Sequence, residues 1–312
     1  MSSIEHGYGE VVRAVSSPRT ECLKEIAALN KGILCDLFTE LTRERLVRKQ
    51  CDIDAMLRQA NYDWNQTLIM LLFRVIGGSH NKLPMTDLAN ITQYVAITRE
   101  SNSLTSLEAL LLGNSGLLDL YDEDSYVRQL KEEHAHLVAK YRVVPMSANA
   151  WKLRGMYIHN HPTLRLAQIA ALLHKGRVSV SSVMSCLTRK DVYNIFSCDS
   201  SQYWSELIAK LYRRPPLTRR IGQFKCDIIG INLVAPLIFT YGVYINSAYR
   251  IEQAIDLLNN IPTEDNNYIK LWHTYGTVAK SAFDSQALIQ LTREYCENGY
   301  CDRCPLYRKI RK

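Results

Sequence analysis

Apolar residues recur at helical spacing along nearly the whole of this 312-residue chain, and the alternation of a half-buried strand is scarce. One segment carries Leu34, Leu37, Phe38, Leu41, Leu46, Val47, Ile53, Met56 and Leu57 in that rhythm. Start and stop signals punctuate the rest. Asp63 opens a helix that Gly77-Gly78 closes, Thr86 opens another, and Ser103 begins a short one that stops at Gly113. Asp122 heads a long charged helix ending near Val143, before Pro145. The stretch Thr163 to His174 is apolar almost throughout, so burial on most sides is expected. Further helices are expected over 188–195, 201–212, 228–244, 248–260 and 282–295. Arg142-Val143-Val144 and Met156-Tyr157-Ile158 tolerate extended backbone, yet no sheet is expected. The spacing predicts an all-α fold, an irregular multi-helix bundle or array with a cysteine-containing C-terminal tail.

At 47% hydrophobic and 22% charged, the chain has the make-up of a folded globular protein. Weak boundaries lie at Pro145 and at Arg213-Arg214-Pro215-Pro216. They predict an N-terminal half over 1–145 and a C-terminal half over 146–312, or one continuous helical domain. Ile228 to Ile245 is free of charge for eighteen residues, long enough to span a bilayer. Asn232, Pro236, Thr240 and two glycines interrupt it, so a buried core helix and no membrane are expected. The first fifteen residues lack the apolar run of a secretory signal. Nine cysteines in such a chain read as reduced thiols in the cytoplasm.

Three of those cysteines are not scattered. Cys296, Cys301 and Cys304 are spaced C-x4-C-x2-C behind a helical stretch and are closed by Pro305. Thiolates this close together can meet at one centre and favour zinc or an iron–sulfur cluster. A fourth ligand would come from Cys226, His273, an exogenous group or a partner chain. The plainer alternative is three thiols in a turn made by Asn298-Gly299. His159 and His161 form a weaker metal pair.

Two features point to anions. Lys210, Arg213, Arg214, Arg219, Arg220 and Lys225 fall in one stretch without an acidic residue, interleaved with Tyr212 and Phe224. Such a stretch suits backbone phosphates and exposed bases, with DNA or RNA as the partner. Arg308-Lys309-Ile310-Arg311-Lys312 adds charge at the terminus, and the net charge is +7. Arg165 and Gln168 stand one turn apart on the apolar helix, with Asn160 just before it. A charge on a buried helix must reach a partner or a cleft. The alternatives are a phosphate contact, or an internal ion pair with the acidic residues of 119–133. That acidic run, Asp119, Asp122, Glu123, Asp124, Glu132 and Glu133, reads as a helix start and a solvated face. No phosphate-cradling glycine loop, G-x-S-x-G or H-E-x-x-H is present.

Several stretches together resemble an uncharacterised bacterial family, the domain of unknown function 2851. They are Glu44-Arg45-Leu46 with Arg48-Lys49; Glu108-Ala109-Leu110-Leu111 with Gly113 and Gly116; and Asn160, Pro162, Arg165, Ala167-Gln168 and Ala170-Ala171-Leu172-Leu173. Asp227, Ile231-Asn232, Pro236, Phe239 and Tyr241-Gly242 follow. The most specific part is the tail, from Ala282 to Leu288 with Glu294-Tyr295-Cys296, Cys301 and Cys304. The likeness covers the chain from about residue 35 to 306. It implies that fuller members begin with a segment similar to restriction-endonuclease-like nucleases, and that this chain starts downstream of it. It carries no activity. Where the family pattern has Arg-Pro and then Asn-Phe-Pro, this chain has Tyr157-Ile158, His159 and Asn160-His161-Pro162. A phosphate or carboxylate held by that arginine would lose its partner here. The combined expectation is a non-catalytic, nucleic-acid-associated module working with a nuclease-like domain or partner chain. The alternatives are a protein–protein scaffold, and an enzyme with its site around Asn160, Arg165 and Gln168.

Overall fold

The computed structural model describes residues 20–122 and 124–310. Glu123 of the acidic run, and Arg311 and Lys312 of the basic terminus, lie outside the described residues. The helices are α1 (Thr20–Ala28), α2 (Lys31–Gln59), α3 (Trp64–Thr92), α4 (Tyr94–Glu100), α5 (Leu104–Asn114), α6 (Ser125–Tyr141), α7 (Pro162–His174), α8 (Val180–Met184), α9 (Arg189–Phe196), α10 (Gln202–Leu211), α11 (Gln223–Ile229), α12 (Ala235–Tyr244), α13 (Ala248–Asn260), α14 (Asn267–Thr274), α15 (Ala282–Gln290) and α16 (Pro305–Ile310). No strand forms among the described residues, and one isolated bridge joins Asp199 to Arg220. The protein is an all-α, multi-helix array.

Capping chemistry sets several of the helix starts. The Asp63 carboxylate accepts the amides of Asn65 (2.8 Å) and Gln66 (3.1 Å), and the Ser103 hydroxyl accepts that of Ser106 (3.1 Å). Thr188 and Asp191 form a reciprocal capping box at α9. The charged helix begins later than expected. Asp124, not Asp122, is its cap, accepting from Tyr126 (3.0 Å) and Val127 (2.9 Å). Gly77-Gly78 does not end α3 either. Non-helical dihedrals at Gly78 and Asn81 kink it, and the helix then resumes to Thr92. Pro84 falls in the first turn of the resumed segment, where its missing N–H has no intrahelical acceptor to lose.

The chain divides into two compact units, residues up to Arg45 with Thr263 onward, and Leu46–Pro262. Pro145 lies inside the larger unit. There α5 packs on α3, α6 and α7, and α7 packs in turn on α3 and α10. Every residue from Pro162 to Leu173 is buried. Glu108 is fully buried, and its carboxylate accepts the Tyr126 hydroxyl and the Trp204 indole N–H, both at 2.7 Å, joining α5, α6 and α10. Burial raises its pKa and those hydrogen bonds oppose the rise.

The uncharged segment belongs to a continuous helical run, Gln223–Tyr244, and 72% of its most apolar stretch is buried inside the protein. It is a core helix of the larger unit. A π-turn over Gly230–Val234 interrupts it just ahead of Pro236. The Lys49 ammonium donates to the Ile231 carbonyl (3.0 Å) and the Asn232 side chain (3.1 Å), serving polar groups that the irregular turn leaves over. Asn232 also donates to the Ile228 carbonyl, and is a satisfied core amide. Gly242 permits the close approach of α12 and α13: an added Cβ would stand 2.8 Å from Arg250 Cβ and 3.0 Å from the Ile251 nitrogen. Asp227 sits within α11, not at its start, and pairs with Arg189 of α9 through two 2.8 Å bonds.

In the smaller unit the first half of α2 meets the tail. Thr42 donates to the Phe283 carbonyl (2.9 Å) and Arg45 Nε to Gln286 (2.6 Å). The Glu44 carboxylate accepts the Tyr295 hydroxyl (2.8 Å) and the Gln290 amide (3.3 Å). Gln286 reaches on to Glu264, and Trp272 donates to Thr292 (2.9 Å). Glu44-Arg45 and the tail motif are therefore two sides of one polar contact.

Candidate functional site

The residues before α7 form a 3-10 turn, Ile158–Asn160, and His161 leads into Pro162 at the first helical position. The fixed φ of proline suits that position and aims the turn back over the helix start. Asn160 thereby reaches Arg165. The guanidinium donates to the Asn160 side-chain oxygen through Nη2 and to that of Gln168 through Nη1, both at 2.8 Å. Gln168 passes the contact on, donating to the Arg219 carbonyl at 3.1 Å.

The three residues singled out on this helix thus form one cluster, and both acceptors of the charge are neutral amides. No carboxylate pairs with Arg165 among the described residues, so the internal ion pair with the 119–133 segment does not form there. Arg165 is 9% exposed and its Nε has no partner; His161 is 4% exposed with Nδ1 likewise unpartnered. Burial pushes the Arg165 guanidinium down to about 10 and the His161 imidazole down to about 4.

Lys225 joins this cluster. The other five basic residues of its run, Lys210, Arg213, Arg214, Arg219 and Arg220, are exposed, whereas Lys225 is half-buried on α11. Burial, and then the nearby charge of Arg165, push its ammonium down to about 7. An unfolded chain keeps a lysine protonated up to about pH 10.4. Above about pH 7 the unfolded state therefore holds the extra proton, and this lysine contributes stability that rises with pH. Of the exposed five, Arg220 is engaged with Asp199 at 3.0 Å.

Beside the turn that leads into α7 lies a cleft of about 540 Å³, lined among others by Arg154, Tyr157, His159, His161, Tyr212 and Arg214, whereas Asn160, Arg165, Gln168 and Lys225 are not among its lining residues. Among the described residues, no acidic one lines it. Tyr157 is 70% exposed, with its ring centroid 5.0 Å from that of His159, and the His161 ring stands edge-on to Tyr212 at 5.5 Å. His159 has a lowered pKa, from burial and then from Arg165. The cleft combines fixed positive charge, aromatic faces and the unpartnered buried Nδ1 of His161, features that suit an anion carrying a flat ring. Arg154 and Tyr157 are not apparent as site residues in the sequence. The signal available was the density of ring-bearing residues over 157–161, which periodicity does not register.

The tail cysteines occupy three successive turns. Cys296 ends the π-turn Leu291–Cys296, Cys301 opens a 3-10 turn to Arg303, and Cys304 is buried just before α16. Cys226 is buried in the larger unit with its Sγ toward the Ile221 carbonyl, and the His273 ring accepts the Ala279 amide at 3.2 Å. All nine cysteines are free thiols. Among the described residues, no three His, Cys, Asp or Glu side chains are drawn together closely enough to hold a metal ion.

Comparison with known families matches the chain to the model described as "Protein of unknown function (DUF2851)" over residues 3–267. It begins earlier than the expected likeness and stops short of the cysteine tail. No curated protein and no solved structure is significantly similar to the chain. The match takes in α7, Lys225 and every residue lining the cleft, and on that coverage the chain belongs to the DUF2851 family.

Proposed function

We propose that this helical protein binds single-stranded nucleic acid, with a nucleotide seated in the cleft before α7 and the neighbouring phosphates on the exposed loop after α10. One observation carries this reading: among the described residues no acid lines the cleft rimmed by Arg154, Arg214 and Tyr157, and its His159 feels the charge of nearby Arg165, which like Lys225 has no carboxylate partner among those residues. A phosphate would supply the missing counter-charge, and Tyr157 and Tyr212 offer faces for a base. Gln168 links the cluster to the loop through the Arg219 carbonyl, so one strand can meet both.

The test is anisotropy titration of labelled single- and double-stranded DNA and RNA at about 50 and about 200 mM salt. Four phosphate contacts to a single strand predict a loss of about 50-fold over that interval. The variant with Arg213, Arg214, Arg219 and Arg220 all changed to Ser should bind more weakly and with a flatter salt dependence. Absence of wild-type binding at low salt, or an unchanged slope in the variant, would sink the proposal.

A pH series adds a second check. A bound phosphate favours protonated Lys225, so affinity should fall as pH rises from about 6 to about 9, through the value near 7. Lys225→Arg should keep binding and remove most of that fall. An equally steep fall in Lys225→Arg would remove Lys225 from the site.

A further inference from the structure

A pocket of about 490 Å³ in the larger unit is built where α8 and the α8–α9 connection face α12 and α13. It shares no lining residue with the cleft beside α7. Among the described residues its one cation is Arg250, and no acidic residue lines it. Arg250 stands in the first turn of α13, and the close approach that Gly242 permits sets it against α12. The short helix α8 ends at Met184 and leaves that carbonyl without a helical donor. The carbonyl accepts Arg250 Nη1 (2.6 Å) and the Gln253 amide (2.9 Å), while the Gln253 oxygen accepts from the same Nη1 (2.7 Å). Gln253 is itself fixed, being 4% exposed and donating again to the Cys186 carbonyl at 2.7 Å. The guanidinium also lies over the Tyr249 ring, 5.5 Å from its centroid. Nη1 is thereby pinned by neutral oxygens, and the edge formed by Nε and Nη2 has no partner among the described residues.

We propose that this pocket binds a small monocarboxylic acid, with its carboxylate on the Nε–Nη2 edge of Arg250 and its apolar body among Val180, Met184, Leu187, Tyr241 and Tyr249. Two N–H groups on one planar edge match the two oxygens of a carboxylate. The guanidinium is held in place before a ligand arrives, so little side-chain freedom is lost on binding. Phosphate fits less well, because it carries more charge and no second cation among the described residues lines the pocket. The aliphatic and aromatic walls favour a hydrocarbon or aryl body, and the volume falls in the range of small-molecule sites. A peptide C-terminus carries the same group, but no strand edge exists among the described residues to pair with its backbone.

The full-length chain would be titrated with 3-phenylpropionate, read by saturation-transfer NMR and calorimetry. Its neutral amide 3-phenylpropionamide, inorganic phosphate and N-acetylglycylleucine would be run beside it. The acid should bind, and the amide should bind about 10- to 150-fold more weakly, the worth of one charge-assisted contact. Arg250→Gln should bind the acid as weakly as wild type binds the amide. That variant should fold, because Gln253 still donates to the Met184 carbonyl. Arg250→Lys keeps the charge without the planar edge and should recover only part of the affinity. Ser181→Trp fills the pocket from its exposed rim, leaves Arg250 in place and should abolish binding, which keeps the test decisive if Arg250→Gln unfolds. Absence of wild-type binding, or equal binding of acid and amide, would overturn the assignment. So would wild-type affinity in Arg250→Gln or Ser181→Trp, displacement of the acid by an equal concentration of phosphate, or tighter binding of the dipeptide than of the acid.

Discussion

Arg165→Met is expected to weaken nucleic-acid binding by about 10- to 150-fold, the worth of one charge-assisted contact of about 1.5–3 kcal/mol, with little loss of folding stability. Two effects oppose each other in the folded protein. Methionine leaves the amide oxygens of Asn160 and Gln168 without their donor, which costs about 1–3 kcal/mol for a buried acceptor. It also relieves the chain of a buried guanidinium that has no carboxylate partner, and keeps much of the apolar stem. The balance should lie within about 2 kcal/mol of zero. Removing one member of a buried ion pair would instead cost about 3–5 kcal/mol. Urea unfolding of the variant beside its anisotropy titration therefore discriminates. Large destabilisation with unchanged affinity would make Arg165 a structural residue and empty the cleft of its proposed role.

The largest purely structural effect is expected at Gly116→Ala. Gly116 has φ +72, and an added Cβ would stand 2.4 Å from the Met146 carbonyl oxygen and 2.9 Å from the Ala148 nitrogen. Both neighbours are backbone, so no rotamer change relieves the overlap. The left-handed conformation costs a side-chain-bearing residue about 1–2 kcal/mol. Pushing the 146–148 segment away adds about 1–3 kcal/mol, as overpacking does elsewhere. The sum, about 2–5 kcal/mol, is a large share of the stability of an ordinary domain. The segment displaced includes the Met146 amide, which donates to the Asn114 carbonyl at 2.7 Å, and it leads to Trp151, whose indole donates to the Ser115 carbonyl at 2.9 Å. A urea denaturation midpoint shifted by less than the equivalent of about 1 kcal/mol would show that the turn can move, contrary to the packing described.

Local chemistry was legible wherever one short segment settles it. Asp63, Ser103 and Thr188 begin helices because a side-chain oxygen two or three residues ahead of a free amide can reach it whatever else the fold does. The apolar content of 163–174 required burial, and burial followed. Gly77-Gly78 was less decisive. A glycine pair weakens a helix locally, but packing of the flanking apolar turns carried α3 on to Thr92 with only a kink. The pattern puts the start of the charged helix at Asp122, whereas the chain enters α6 at Asp124, which caps it.

The candidate site divides in the same way. Arg165 and Gln168 lie one turn apart on α7, so helical spacing brings them together, and the 3-10 turn Ile158–Asn160 before the helix adds Asn160. What Arg165 lacks could not be read there, because a missing counter-charge is a property of everything packed around the group. Lys225 shows this most clearly. In sequence it closes a basic run with Arg219 and Arg220, yet α11 turns it toward Arg165 while the loop residues stay in water. By itself the sequence determined the helices, their caps, the buried faces and the family, all of which follow from interactions spanning a few residues or from pattern. Only the tertiary structure decided which charges go without partners, because that depends on distances between residues far apart along the chain.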